Sequence, residues 1–361
     1  MKIVTIVGAR PQFIKAAPVS QALRPQHHEI LIHTGQHYDR EMSDLFFDEL
    51  SIPRPDYELG IGSGPHGWQT GQMLQRIEEA LLAERPAWVL VYGDTNSTLA
   101  GALAAVKLRL PVAHVEAGLR SFNRTMPEEH NRVLTDHCAD ILFCPTQTAV
   151  NLLAREGITR GVHLVGDVMI DALQQHGALA RQQSTLTTRL GLHTCDFILA
   201  TIHRPYNTDD PARLAVILSA LAGLEMPVVF PIHPRTRSAL TRAGLTLPAN
   251  VITLDPIGYL DMLALEQAAA LIVTDSGGVQ KEAYFFAVPC VTLRPETEWV
   301  ETVAAGWNRL AWGDAAQVIE AAQRPWPTTP PAPVFGDGHA AERIVRLLAS
   351  ADPRQQEAVT P

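Results

Sequence analysis

Cysteine is scarce in this chain. The four present among 361 residues, Cys138, Cys144, Cys195 and Cys290, show no paired spacing. That excludes a disulfide-stapled fold and a cysteine-built metal site, and it reads as reduced thiols in a cytoplasmic protein. Long apolar runs are missing too: nothing approaches the roughly 20 residues of a membrane span, and Met1-Lys2-Ile3-Val4-Thr5-Ile6-Val7-Gly8 is too short for a signal core, so it reads as a buried first strand. Positive charge is in deficit, 29 Lys and Arg against 38 Asp and Glu for a net −9. No general nucleic-acid or anionic-membrane surface is expected, and an anionic substrate must be met by individually placed groups. The first strand ends at Gly8-Ala9-Arg10-Pro11-Gln12-Phe13 with a single glycine, which disfavours the usual dinucleotide fingerprint. No Gly-x-Ser-x-Gly elbow or reactive-cysteine motif supports acyl transfer. Gly35-Gln36-His37-Tyr38-Asp39 has one His and one Asp but no partner set, and His27-His28 read as solvated loop residues. Neither a metal nor a redox cofactor is expected.

The remaining composition, 46% hydrophobic and 19% charged, can bury a large core, and the length exceeds what one core serves, so two domains are expected. Short β-branched runs at 3–7, 29–33, 88–92, 112–115, 141–144 and 162–165 alternate with helix-period stretches such as 68–84 and 97–109. This is the pattern of a parallel α/β sheet, closing as one doubly wound domain. It pauses at 166–171, a polar helix runs to about Arg189, and a second series follows at 197–202, 227–232, 251–254, 270–274 and 290–293. The expected boundaries are 1–168 for the first Rossmann-like domain and 169–337 for the second. Residues 325–333, with five prolines, form an extended crossing, and an amphipathic helix over 338–350 is expected to pack back on the first domain. No repeat of 20 to 50 residues is present.

Ligands of open parallel sheets bind beyond the carboxyl ends of the strands, so polar residues just after each run carry the information. Arg10 and Lys15 place positive charge beside free backbone N–H groups after the first strand, suited to a phosphate or a uridine, although a plain strand-to-helix turn explains them equally well. Asp94, in Gly93-Asp94-Thr95, is either a functional carboxylate or a helix cap. Glu116, in Val115-Glu116-Ala117-Gly118, follows an apolar strand directly, a poor place for an idle charge. Glu128-Glu129 open a helix, and one of them is an ordinary first-turn residue favoured by the helix dipole. Converging carboxylates form a candidate acid/base set. In the second half His203 and His233 each follow a strand and each is closely followed by Arg. Thr274-Asp275-Ser276-Gly277-Gly278-Val279-Gln280-Lys281-Glu282 is the sharpest segment: Ser276, Gly277 and Gly278 make a phosphate cradle at a helix start, and Glu282 sits where a carboxylate can accept both ribose hydroxyls.

At these residues the chain resembles the non-hydrolysing UDP-N-acetylglucosamine 2-epimerase family. The matching blocks are Gly8-Ala9-Arg10-Pro11 with Lys15, Thr34-Gly35-Gln36-His37, Gly93-Asp94-Thr95, Val115 to Arg120, Pro127 to Arg132, Thr201 to Arg204, His233-Pro234, and Thr274 through Glu282. The resemblance implies a GT-B type architecture, two Rossmann-like domains facing a cleft, with UDP held mainly by the second, and a homodimer. It makes Asp94, Glu116, Glu128 and His203 the catalytic candidates. Arg10, Lys15, Gln36, His37, His233, Ser276, Gly277, Gly278 and Glu282 become the substrate- and UDP-binding set. The implied chemistry is anti elimination of UDP to a 2-acetamidoglucal and re-addition, serving bacterial surface polysaccharide synthesis. Two blocks depart from the family's commoner form. Pro11-Gln12-Phe13 replaces Pro-Glu-Ala, and Thr297-Glu298-Trp299-Val300-Glu301 replaces Thr-Glu-Arg-Pro-Glu; both look like the subgroup acting on UDP-2,3-diacetamido-2,3-dideoxy-glucuronic acid. The 62–69 loop lacks the Arg that regulated members use for a second, activating UDP-N-acetylglucosamine.

Four other readings compete. The diacetamido-uronic acid epimerase differs in the sugar inverted, and a hydrolysing relative would release free UDP stoichiometrically. A GT-B glycosyltransferase would turn over no sugar nucleotide without an acceptor, and a non-catalytic UDP-sugar sensor would bind without proton exchange.

Overall fold

The computed structural model describes residues 1–36 and 52–351. Contacts divide the chain into two units: Met1–Gln174 with the segment from Val334 onward, and Gln175–Pro333.

In the first unit, β1 (Lys2–Val7), β2 (His28–His33), β3 (Tyr57–Glu58), β4 (Trp88–Tyr92), β5 (Val112–Val115), β6 (Ile141–Cys144) and β7 (Val162–Leu164) form one sheet of order β3-β2-β1-β4-β5-β6-β7. Every pairing is parallel. Numbering the described helices in order, α1 (Arg10–Leu23), α2 (His66–Glu84), α3 (Asn96–Lys107), α4 (Pro127–Cys138), α5 (Gln147–Arg155) and the start of α6 (Val168–Gln183) connect them. The central strands are apolar on both faces, and β4 is fully buried, because helices cover both sides of the sheet. One face packs Val4, Ile6, Val89 and Val91 against Met73, Ile77 and the small side chains Ala100, Ala102, Ala104 and Ala105.

The second unit repeats the plan. Its strands β8 (Ile198–Thr201), β9 (Val228–Pro231), β10 (Val251–Leu254), β11 (Leu271–Thr274), β12 (Cys290–Thr292) and β13 (Asn308–Leu310) run in the order β10-β9-β8-β11-β12-β13, again all parallel. After α7 (Leu186–Arg189), the helices are α8 (Pro205–Thr208), α9 (Pro211–Ala222), α10 (Pro234–Ala243), α11 (Tyr259–Ala268), α12 (Gly277–Phe285), α13 (Val300–Ala304) and α14 (Ala315–Gln323). Both sheets therefore have the 3-2-1-4-5-6 order of the Rossmann plan, whose direction of winding reverses between β1 and β4 and between β8 and β11. The last helix, α15 (Ala340–Ser350), packs on α1 of the first unit, and Asp171 anchors its start by accepting from Ala340 N (3.2 Å) and Ala341 N (2.9 Å).

Capping explains several helix starts. Thr146, Asp210 and Asp314 side chains accept from the first turns of α5, α9 and α14, and prolines open α4, α9 and α10 where no N–H is needed. The structure differs from the sequence reading in detail. β3 and β13 are two- and three-residue strands with too little pattern to read. The polar helix expected to reach Arg189 breaks after Gln183, where the Ser184 hydroxyl donates to Asp261 (2.6 Å) instead of continuing the helix. His28 begins β2 and is not a loop residue. Among the described residues no helix is long and apolar enough to cross a membrane.

Candidate active site

Register decides which residues meet at the reversal point of the first sheet. Ile6 pairs with Val91 and Tyr92 with Val115, so the turns after β1, β4 and β5 end at one level. Glu116 and Gly93 thereby become neighbours: Gly93 N donates to Val115 O (3.0 Å), and a Cβ on Gly93 would stand 3.3 Å from Glu116 Oε2 and 3.1 Å from Lys15 Nζ. Lys15, from α1, donates its ammonium directly to the Glu116 carboxylate, and both residues are over 90% buried. Glu116 also has a left-handed backbone, φ 71°. A side chain pays roughly 1–2 kcal/mol for that conformation, and such residues cluster at functional sites. The backbone is held there by Phe143 O, which accepts from both Glu116 N and Ala117 N at 3.1 Å.

Asp94 does not cap a helix. Thr95 caps α3, and Asp94 Oδ2 instead accepts from Arg132 Nε (2.9 Å) and Nη2 (2.8 Å), leaving the carboxylate partly exposed. Asn131 steadies the same turn by donating to Asp94 O (2.9 Å). Of the glutamate pair, Glu129 is the structural one. It is buried and accepts from Ser121 N (2.8 Å), Ser121 Oγ (2.8 Å), Phe122 N (2.9 Å) and Arg132 Nη1 (2.9 Å). Burial alone would raise its carboxyl, but those donors and the Arg132 charge outweigh it and hold it below the ordinary value. Glu128 is half-buried on the first turn of α4.

One expectation on this unit needs correction. The N–H groups of Gly8 and Ala9 are not free for a phosphate: Gln12 Oε1 accepts both (2.8 and 3.1 Å), while its amide donates to Tyr92 O and Thr98 Oγ1. Gln36 Oε1 accepts from Ser97 N (3.0 Å) and Ser97 Oγ (2.7 Å). Arg10 heads α1; its side chain and the whole of His37 lie outside the described residues.

In the second sheet Thr201 pairs with Thr274, which brings the turns after β8 and β11 together. Asp275, fully buried, organises them. Its carboxylate accepts from His203 N (3.1 Å), Arg204 N (3.0 Å) and Asn207 Nδ2 (3.0 Å), and lies 3.4 Å from His203 Nδ1. A carboxylate at Nδ1 fixes that imidazole's orientation and directs Nε2 away from it. His233 stacks obliquely near His203, ring centroids 5.7 Å apart, and its Nδ1 accepts from Arg235 N (3.1 Å) as the cap of α10. An accepting Nδ1 carries no proton, so the neutral ring of His233 presents an Nε2–H donor. Ser276 precedes α12 without capping it through its side chain, and Gly277 and Gly278 open the helix, so its first turn's N–H groups have no side-chain cap from Ser276. A Cβ on Gly278 would come no nearer than 3.9 Å to Ser276 Oγ and 4.0 Å to Glu282 Oε2, which places the buried Glu282 on the same side of the helix.

The first sheet thus gathers Lys15, Asp94 and Glu116, and the second gathers His203, His233, Ser276–Gly278 and Glu282. Several partners escaped the sequence reading. Asp275 and Arg132 stand inside quoted blocks, but only the folded register shows what they hold. The buried Arg294–Glu298 pair (2.8 Å) lies beside Gly277, whose Cβ would sit 2.8 Å from Glu298 Oε1, and Lys281 stacks on the Trp299 ring at 3.9 Å. Among the described residues no three His, Cys, Asp or Glu side chains cluster as a metal set.

Two Rossmann-type sheets, one ending in a buried lysine–carboxylate pair and the other in an oriented imidazole beside a glycine-opened helix, define a nucleotide-binding α/β enzyme. Comparison with known proteins narrows the class. The UDP-N-acetylglucosamine 2-epimerase family pattern matches residues 21–349. A UDP-N-acetylglucosamine 2-epimerase homolog of Methanococcus maripaludis is 53% identical over 354 residues, covering 96% of this chain and 99% of its own. The UDP-2,3-diacetamido-2,3-dideoxy-D-glucuronate 2-epimerase of Pseudomonas aeruginosa is 53% identical over 360 residues, 97% of this chain and 99% of its own. The crystal structure of Methanocaldococcus jannaschii UDP-GlcNAc 2-epimerase in complex with UDP-GlcNAc and UDP aligns with a TM-score of 0.90 at 44% identity, covering 97% of this chain and all of that one. The chain belongs to the non-hydrolysing UDP-N-acetylglucosamine 2-epimerase family, closely related to its diacetamido-dideoxy-glucuronate subgroup. It is an isomerase of the UDP-amino-sugar 2-epimerase type.

Proposed function

We propose that this isomerase inverts C2 of a UDP-linked amino sugar, interconverting UDP-N-acetylglucosamine and UDP-N-acetylmannosamine type sugars, by anti elimination of UDP followed by re-addition. A ring C2–H has no carbonyl beside it, so a base alone cannot remove the proton. Breaking the C1–O bond builds oxocarbenium character at C1 and acidifies C2–H. A carboxylate then takes the proton, the C–H electrons become the C1–C2 double bond of the glucal, and the C1–O pair leaves with UDP. Return requires a proton delivered to the opposite face as UDP re-forms the C1–O bond, so two acid/base groups are needed. Asp94, Glu116 and Glu128 are the groups we assign to the two faces. His203, held by Asp275, with Arg10, His233 and the start of α12, stabilises the departing diphosphate, and Glu282 accepts the ribose hydroxyls.

The observation that carries this reading is Glu116: a buried carboxylate on a left-handed backbone, paired with Lys15, at the reversal point of its sheet. The architecture we propose is of GT-B type. The protein would act as a cytoplasmic homodimer without metal or redox cofactor. A second reading is favoured by the Thr297-Glu298-Trp299-Val300-Glu301 block and by the Pseudomonas relative: inversion of the 2,3-diacetamido-uronic acid nucleotide. Incubating the pure protein with each sugar nucleotide and following C2 by NMR separates the two. Inversion of neither, or stoichiometric release of free UDP, rejects the proposal.

A further inference from the structure

His114, 1% exposed on β5, makes two short contacts whose partners can only accept: Nδ1 lies 2.7 Å from Asp136 Oδ1 and Nε2 lies 2.8 Å from Gly93 O. A carboxylate and a carbonyl have no proton to offer. Either neutral tautomer would therefore face one ring-nitrogen lone pair against an oxygen lone pair in a site closed to water. Asp136 faces donors on its other oxygen as well, Arg120 Nη1 (2.7 Å) and Gly118 N (3.1 Å), as a carboxylate does; burial pushes its carboxyl up, and the His114 contact and the Arg120 charge hold it below the usual range. We propose that His114 is held as an imidazolium and is the positioning residue for Glu116 and Asp94, an inference that rests on the roles given to those two carboxylates above.

The groups around the ring are Asp136 from α4, Arg120 from the loop after β5, and the exposed Glu156 just past α5, which takes Arg120 Nε and Nη2 at 2.7 Å each. Beyond these stand His137, 3.6 Å from Glu156, and the Cys144 thiol on β6, which burial pushes up to about 12 and so keeps neutral. Lys15 and Glu116 compensate each other. With Glu156 open to water, the protonation of His114 rests on its two accepting partners, Asp136 Oδ1 and Gly93 O.

The contacts fall on both flanks of the reacting groups. Through Nε2 the ring fixes the carbonyl of Gly93, the residue whose missing Cβ makes room for the Lys15–Glu116 pair and which precedes Asp94. Through Nδ1 it fixes Asp136, whose other oxygen accepts from Gly118 N (3.1 Å) and Arg120 Nη1 (2.7 Å) just past Glu116. One cation thus ties the turn before Asp94 to the turn that holds Glu116 at positive φ.

The test is nitrogen NMR of the ring, assigned through its backbone, in the full-length protein labelled with 15N-histidine at pH 7 to 8. The spectrum comes from the unsubstituted protein, so it decides the protonation whether or not a variant folds. Both nitrogens of His114 bearing protons at imidazolium shifts is the expected result; a single unprotonated ring nitrogen overturns the proposal. His114→Gln supplies the second arm: kcat is expected to fall on the order of 100-fold, the scale of an ångström's misplacement, with KM changed less than about threefold. Unchanged kcat, or KM and kcat lost in equal measure, overturns the positioning role. A fully active Glu116→Gln removes the reading of the site, and with it the positioning role, even if the ring spectrum shows an imidazolium.

Discussion

The Lys15–Glu116 pair offers the sharpest energetic test. Both residues are more than 90% buried, and the ammonium bonds the carboxylate directly. Lys15→Met leaves Glu116 as a buried charge without its cation, which is expected to cost about 3–5 kcal/mol, and Glu116→Gln strands Lys15 at a similar cost. In the double variant neither charge remains, and the amide introduced in place of the Glu116 carboxylate would carry only the penalty of an imperfectly satisfied polar group, about 1–3 kcal/mol. The left-handed backbone at Glu116 is common to the glutamate and its amide replacement, so its strain cancels from the comparison. The double variant should therefore be more stable than the sum of the singles predicts by at least about 3 kcal/mol. Urea unfolding of all four proteins at pH 7.5, followed by circular dichroism, measures this coupling. Additivity within about 0.5 kcal/mol would refute the claim that the two charges compensate each other in a buried pair.

Three further outcomes are expected. Glu129 titrates below its ordinary 4.5 in the folded protein because the Ser121 and Phe122 donors and Arg132 outweigh its burial. A depressed native value means stability present above pH 4.5 and lost as pH falls through that native value, so the gap of roughly 1–3 kcal/mol between wild type and Glu129→Gln near neutrality should close in acid. Gly277→Ala puts a Cβ 2.8 Å from Glu298 Oε1, which Arg294 anchors, so the start of α12 must shift. Steady-state kinetics should show KM for the sugar nucleotide rising about tenfold, or ~1.4 kcal/mol, with kcat nearly kept. Among the thiols, exposed Cys195 should react first with an aromatic disulfide reagent, whereas Cys144 and Cys290, both pushed up to about 12 by burial, should react only on unfolding.

What the sequence disclosed, and what it withheld, follows from the range of the interactions. The strands at 88–92 and 141–144 are uninterrupted apolar runs, the one at 112–115 is broken only by His114, and their ends are marked by Gly93, Pro145 and Glu116, so they stand where local pattern places them. Strands β3 and β13 exist only because a neighbour at the sheet edge accepts them, and two or three residues carry no period. At the sites, proximity to strand ends singled out Asp94, Glu116, His203 and Ser276. It could not tell Glu128 from Glu129, because what distinguishes them is the loop at Ser121 and Phe122 folding back on one carboxylate. Nor could it foresee that Gln12 bridges to Tyr92 and Thr98, that Gln36 Oε1 accepts from Ser97, or that Asp275 holds both the backbone and the ring of His203. Each is a contact between segments far apart in the chain, fixed only by parallel register.

Turnover in deuterated water tests the central claim most directly, since elimination and re-addition must exchange the C2 proton with a group that equilibrates with solvent. Mass spectrometry and NMR of the recovered sugar nucleotides should show one deuterium at C2 of the inverted product, with incorporation suppressed in Glu116→Gln. Inverted product that keeps its original hydrogen at C2 after full equilibration would contradict the account.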